Sequence, residues 1–284
     1  MRIDGNTKLA AVLGYPLAHS LSPIMQNEAF KHCSFNHVYI PIEVKPEDLG
    51  AVVKAIGKMN FVGFNVTVPH KVEVMKYIDE IDKLAELIGA VNTVVIKDGK
   101  MKGYNTDGIG FLKSLEESTK ETVESKKVFI LGAGGACRAI SMTLAMNKAK
   151  RIYICNRTYG KAVSLCEDIN ANFGDISLPV PMEYEKMKEA LYDSEILINT
   201  TTVGMYPHID DSPVDKSLLR ENLIVCDIVY NPKRTKLLKD AEALGCKVVF
   251  GLPMLVYQGA EAFKLWTGME APVDVMFKAV EFNS

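Results

Sequence analysis

Long hydrophobic runs are missing from this chain. No stretch of 18 apolar residues occurs in its 284 positions, so no membrane-spanning helix is expected. An excess of one charge is missing too. Lys plus Arg total 33 against 35 Asp plus Glu, a net charge of −2, which leaves neither a basic footprint for nucleic acid nor a polybasic membrane anchor. Low-complexity tracts are absent, and nothing repeats at a fixed period, which excludes a solenoid. The six cysteines (Cys33, Cys137, Cys155, Cys166, Cys226, Cys246) form no C-x-x-C pair and are too sparse for a secreted disulfide framework. His32, Cys33 and His37 cluster, but a helix end expected nearby separates them, and too few ligands surround them for a metal. The opening MRIDGNTKLAAVLGYPLA breaks its apolar run at Gly14 and Pro16 and lacks a small-residue cleavage site, so no secretory signal is expected. The expectation is a soluble, reduced, cytoplasmic protein.

What is present is enough hydrophobic material, 48% of residues, for two domains with separate cores. From Lys8 onward short apolar strands alternate with helical stretches. LAAVLG is followed by a helix opened by Ser22 as N-cap and Pro23, then by HVYIPIEV. A helix after Pro46, with Glu47 and Asp48 in its first turn, leads to FVGFNVTV. AVNTVVIKDGKMKGYN reads as a hairpin turning at Asp98-Gly99. A second alternating series starts at Lys127, with strands VFILG, RIYICN, EILINTT, LIVCDIV and KVVFG. Their Val/Ile-rich runs suit a parallel sheet buried on both faces. Helical segments around Met254–Trp266 and Pro272–Phe282 close the chain. The fold class read from this pattern is α/β, with two domains and an interdomain cleft.

In the second series VFIL runs straight into Gly132-Ala133-Gly134-Gly135-Ala136-Cys137, and a helical stretch follows. Strand, glycine turn and helix in that order form a phosphate-binding fingerprint. Gly132 makes the tight turn, Gly134 admits a pyrophosphate, and the helix N-terminus favours the anion. Cys137 fills the third position, usually Gly or Ala. The next strand ends Cys155-Asn156-Arg157-Thr158, with Lys161 just beyond and no acid at its tip. A carboxylate there would read the ribose hydroxyls of NAD, whereas Arg157 can bind a 2′-phosphate. NADP is the expected cofactor, with NAD the weaker alternative. Asp168 lies too far along the helix to reverse this. Tyr184 and Lys188 match the Y-x-x-x-K pair of short-chain dehydrogenases, but their surroundings read as a solvated amphipathic helix.

The first region carries the polar residues. In Phe64-Asn65-Val66-Thr67-Val68-Pro69-His70-Lys71, period-two geometry puts Asn65 and Thr67 on one strand face and Val66 and Val68 on the other. Lys71 follows near the strand's carboxyl end. Asn92 in Gly89-Ala90-Val91-Asn92-Thr93 adds an amide, and Asp107 in Gly103-Tyr104-Asn105-Thr106-Asp107-Gly108 adds a carboxylate. Ser20 and Ser22, beside a helix start, suit a substrate carboxylate. Each taken alone reads more readily as a cap, a loop tie or a surface lysine.

Together the motifs YPLAHSLSP, GFNVTVPHK, GAVNT, GYNTDGIGF, LGAGGACRA, NRT, INTTTVGM, DIVYNP and GLPMLVYQGA resemble the shikimate dehydrogenases, in order, from about residue 10 to residue 268. The resemblance implies a substrate domain of residues 1–105, completed by C-terminal helices in residues 255–284. It also implies an NADP-binding Rossmann domain over residues 106–254. It assigns substrate contacts to Ser20, Ser22, Asn65, Thr67, Lys71, Asn92, Asp107, Tyr230 and Gln258. It assigns NADP contacts to Gly132, Ala133, Gly134, Gly135, Ala136, Asn156, Arg157, Thr158, Lys161, Thr201, Met205, Ile228, Gly251 and Met254. Lys161 stands where the family often has arginine.

The implied reaction is reversible NADPH-dependent reduction of 3-dehydroshikimate to shikimate in chorismate biosynthesis. No metal is needed if a positioned side chain moves the proton. Lys71 is the expected acid/base and Asp107 orients it. Ser20 and Ser22 are expected to hold the carboxylate, while Asn65, Thr67, Asn92 and Gln258 read the ring hydroxyls. The small molecule is the expected partner, with no nucleic acid and no membrane; a homodimer is admitted but not required. Three other readings stay open: a dual quinate/shikimate dehydrogenase using NAD or NADP, a folate-type dehydrogenase, and a non-catalytic NADP-binding sensor.

Overall fold

In the computed structural model, which describes residues 3–17 and 20–281, the chain forms two compact units. One comprises residues 1–106 and 256–284, the other residues 107–255. Ala18 and His19 of the first motif, and Phe282 of the expected last helix, lie outside the described residues.

The first unit contains β1 (Lys8–Gly14), α1 (Ser22–His32), β2 (His37–Glu43), α2 (Leu49–Ile56), β3 (Phe61–Val66), β4 (Glu80–Ile81), α3 (Lys83–Ile88), β5 (Thr93–Lys97) and β6 (Lys100–Tyr104). Its sheet runs β2-β1-β3-β5-β6-β4. β1 pairs in parallel with β2 and β3, because helices cross over between them. β5 is antiparallel to both β3 and β6. The β5–β6 reversal needs only Asp98 and Gly99, both at positive φ, as a two-residue turn of that twist requires. Pro46–Asp48 form a separate 3₁₀ turn ahead of α2 rather than its first turn. Ala11, Leu13, Leu49, Val53, Phe64, Val66 and Val94 belong to the core.

The second unit contains α4 (Asp107–Thr119), β7 (Lys127–Leu131), α5 (Gly135–Met146), β8 (Arg151–Cys155), α6 (Tyr159–Phe173), β9 (Ser177–Val180), α7 (Tyr184–Tyr192), β10 (Ile196–Asn199), β11 (Ile224–Asp227), α8 (Lys236–Ala243) and β12 (Lys247–Val249). All five strand pairings are parallel, in the order β12-β11-β10-β7-β8-β9. Five strands are legible in the sequence and the sheet has six. β9 escaped because it is a four-residue edge strand carrying Pro179. From β7 the chain winds outward one way through β8 and β9, then returns to place β10 on the other side. The strand order therefore reverses between β7 and β10, where open α/β sheets take ligands at the carboxyl ends. α9 (Gly251–Thr267) and α10 (Val273–Glu281) end the fold, residues 256–281 belonging to the first unit. Among the described residues no helix is long and apolar enough to cross a membrane.

Candidate functional site

β3 carries Asn65 into the interior, and three elements meet on its amide. Tyr39 of β2 donates from its hydroxyl to Asn65 Oδ1 at 2.7 Å. Asn65 Nδ2 donates to Asn92 O at 3.2 Å and Thr93 Oγ1 at 3.0 Å. Tyr39 is buried, and burial pushes its phenol well above the usual tyrosine range. Asn27, on α1, holds the Tyr39 backbone: its Oδ1 accepts from Tyr39 N at 2.9 Å and its Nδ2 donates to Tyr39 O at 2.8 Å.

The same unit ties the Lys71 segment to Thr106. His70 is buried with its ring 2.7 Å from Val44 O, which anchors the turn after β3. The next residue, half-buried Lys71, accepts at its carbonyl from Val91 N at 2.8 Å. Val91 is adjacent to Asn92, which reaches this place because Gly89, at φ 71°, ends α3 in a left-handed turn. Asn92 Oδ1 accepts from Thr106 N at 2.8 Å and Asn92 Nδ2 donates to Thr106 Oγ1 at 3.0 Å. Asp107, first residue of α4, is bonded directly to Thr106. The segments holding Lys71, Asn92 and Thr106 are thus linked by one backbone–backbone bond and two bonds of the Asn92 side chain.

Thr67 lies one residue past the end of β3, its N–H donating to Leu13 O at 2.9 Å. Gly14 makes room for it, since a Cβ there would come within 2.4 Å of the Thr67 methyl. Ser20 and Gln258 are half-buried in the first unit, and Tyr230 is half-buried in the second. Burial raises the Tyr230 pKa.

In the second unit β7 delivers the glycine turn. Gly132 sits at φ +106°, and a Cβ would lie 2.6 Å from Thr200 Oγ1, so both conformation and space demand glycine. Gly134 and Gly135 are exposed, and a Cβ on either would meet nothing within 4 Å. The protein's own packing does not require these glycines, whereas close approach of an anion to the α5 N-terminus does. Cys137 is fully buried, its thiol pushed up to about 12 by burial, and fits as a small apolar residue against the sheet. At the end of β8, Asn156 Nδ2 donates to Thr158 O at 2.9 Å and shapes the turn, leaving Arg157 and Lys161 exposed. Asp168 is paired with Arg138 at 2.6 Å. These residues fit a dinucleotide carrying a 2′-phosphate.

The loops after β10 and β11 are held by a buried polar core. Asn199 Oδ1 accepts from Thr201 N at 3.0 Å and Thr201 Oγ1 at 2.7 Å, and its Nδ2 donates to Asp227 Oδ1 at 3.0 Å. Asp227 also accepts from Val229 N at 3.0 Å and Thr235 Oγ1 at 2.6 Å. Asn199, Asp227 and Thr235 are almost wholly buried, and burial pushes the Asp227 carboxyl up to about 6. This core sets the loops that carry Thr201 and exposed Met205, and half-buried Ile228. Gly251 begins α9 because a Cβ there would fall 2.5 Å from Ile228 O; Met254 follows one turn on, half-buried.

Two local expectations are corrected. Ser22 is not the N-cap of α1: the cap position is Leu21, and Ser22 is the first residue of the helix, ahead of Pro23. Val68 does not share a buried face with Val66, because β3 ends at Val66 and Val68 is exposed in the following turn. Tyr184 and Lys188 lie on the exposed helix α7, with Tyr184 near Ser217 at 2.9 Å and Lys188 over its ring. Among the described residues no group of three His, Cys, Asp or Glu side chains is placed to hold a metal ion. Tyr39 and Asp227 were not anticipated. Their motifs, HVYIPIEV and DIVYNP, mark strands, and only a polar residue in an otherwise apolar strand hints at more.

Three family profiles match the chain: the shikimate dehydrogenase substrate binding domain over residues 12–94, shikimate / quinate 5-dehydrogenase over 114–235, and the shikimate 5′-dehydrogenase C-terminal domain over 251–281. A shikimate dehydrogenase (NADP(+)) of Methanopyrus kandleri is 47% identical over 279 residues, 98% of this chain and 96% of its own. A crystal structure of a shikimate dehydrogenase in complex with NADP+ matches with a TM-score of 0.91 at 46% identity, over 99% of this chain and 97% of the other. The shikimate 5-dehydrogenase of Listeria monocytogenes, in complex with shikimate and NAD, matches at a TM-score of 0.94 and 40% identity, over 99% and 98%.

Proposed function

The chain belongs to the shikimate dehydrogenase family, and from that premise we propose that it interconverts 3-dehydroshikimate and shikimate with NADP(H). The nicotinamide, when bound, accepts or supplies the hydride. The chain's own groups do the rest. Gly132 to Ala136, at the start of α5, receive the pyrophosphate, and Arg157 and Lys161 neutralise the 2′-phosphate, with Asn156 and Thr158 shaping their turn. Thr201, Met205, Ile228, Gly251 and Met254 line the nicotinamide end.

For the substrate, Ser20 and Ser22 hold the carboxylate, while Asn65, Thr67, Asn92, Tyr230 and Gln258 address the ring hydroxyls. A polar site of this kind penalises analogues that leave a buried partner unpaired. Lys71 takes the hydroxyl proton in oxidation and returns it in reduction, and Asp107 orients the ammonium and hydrogen-bonds the reacting oxygen. The observation that supports this most is the series of anchors from Lys71 O through Val91 and Asn92 to Thr106, the residue before Asp107. All six cysteines are free thiols, in keeping with a reduced, cytoplasmic setting.

The test follows NADPH absorbance on adding shikimate, with quinate and NAD as the other arms. Turnover fastest with shikimate and NADP+ supports the reading. Equal rates with quinate or NAD make the enzyme dual-specific. Cofactor binding without turnover of either acid makes the chain a sensor and overturns the enzymatic reading.

A further inference from the structure

One of the proposed substrate contacts, Asn65, is bonded to a side chain to which the sequence assigns no ligand. The Tyr39 hydroxyl donates to Asn65 Oδ1 at 2.7 Å, joining β2 to β3. Tyr39 is held from every side. It is 1% exposed, its backbone is bracketed by the Asn27 amide at 2.9 and 2.8 Å, and its ring lies 5.9 Å from that of Trp266. Trp266 is itself fixed by donating to Val94 O at 3.0 Å.

The donors and acceptors leave little freedom. Asn65 Nδ2 gives its two hydrogens to Asn92 O and Thr93 Oγ1, so its oxygen must be the atom facing Tyr39. That oxygen has two lone pairs, and Tyr39 takes one. What Asn65 offers a ligand is therefore an acceptor, suited to a hydroxyl and repelled by a carboxylate.

We propose that Tyr39 is a positioning residue for substrate recognition, fixing Asn65 as the acceptor of one ring hydroxyl. The proposal rests on the reading that Asn65 contacts the substrate.

Tyr39→Phe removes one oxygen and keeps the ring. The expected result is a roughly tenfold weaker dissociation constant for shikimate by titration calorimetry and a matching rise in its KM. The KM for NADP+ stays within twofold. Asn65→Ala weakens shikimate on its own, and adding Tyr39→Phe to it produces little further loss, because the two act through one contact. Additive losses overturn the proposal. So does an unchanged shikimate affinity in Tyr39→Phe while Ser22→Ala and Asn65→Ala both weaken it, an outcome that leaves the substrate reading standing. Unchanged affinity in all three variants overturns the substrate reading itself. Should Tyr39→Phe not fold, Asn27→Ala loosens the Tyr39 backbone without altering a proposed substrate contact, and a loss confined to shikimate is expected again. Equal losses for both ligands there would mark the residue as merely structural.

Discussion

At the scale of single residues, the assigned roles separate by which kinetic constant each one moves. Lys71→Ala is expected to lower kcat by about 10²–10⁴-fold, the range of a positioned proton donor, with a much smaller change in shikimate affinity. Steady-state kinetics in both directions check it, and an unchanged kcat would remove Lys71 from the mechanism. Arg157→Ala removes a guanidinium exposed at the end of β8. It should raise the KM for NADP+ on the order of tenfold or more and leave that for NAD nearly alone, because a single charge-assisted contact to phosphate contributes about 1.5–3 kcal/mol. Equal effects on the two cofactors would contradict 2′-phosphate recognition. Both residues are legible in the sequence because their neighbours announce them: Lys71 by the motif ending β3, Arg157 by the absence of an acid. Tyr39 is not, since its meaning lies in a partner 26 residues away on another strand.

At the scale of elements, glycines and turns are what the sequence reveals most directly. Gly132 and the Asp98-Gly99 pair sit where positive φ is required, and a residue type alone exposes such a requirement. Strand β9 and the 3₁₀ turn before α2 are hidden because each is short and stabilised by its neighbours rather than by its own pattern. The polar core joining β10, β11 and α8 is hidden for the same reason, as Asn199 and Asp227 meet across 28 residues. Its carboxylate makes a prediction about pH. Asp227 titrates at about 6 in the fold, against roughly 3.9 when unfolded. The native state binds the extra proton, so this stabilisation is full below the unfolded value and is lost as pH rises through 6. The difference is about 2 kcal/mol between pH 4 and pH 7. Asp227→Asn keeps an acceptor for Asn199 and Val229 and reverses the Thr235 bond, the amide now donating, but does not titrate. Urea unfolding at the two pH values should therefore show the wild type losing stability relative to Asp227→Asn on going to pH 7. A constant difference would mean that Asp227 is ionised throughout.

At the scale of the whole molecule, each of the two units carries its own sheet and its own buried cluster. A ligand that binds one native unit stabilises that unit first. NADP+ at 100 times its dissociation constant should raise the unfolding free energy of the second unit by about 2.7 kcal/mol. Hydrogen exchange should locate the added protection in β7, β8, β10 and the helix starts beside them. Protection appearing only in β1 to β6 would place the cofactor elsewhere. The first unit has a further exposure to manage. β2 is the outermost strand of its sheet, and the Tyr39 N–H and C=O point away from β1 into the side-chain amide of Asn27. One asparagine thus imitates an adjoining strand at the middle of the border, sealing the position where a stray peptide would otherwise zip on, so the helix that presents Ser22 also guards the protein against self-association.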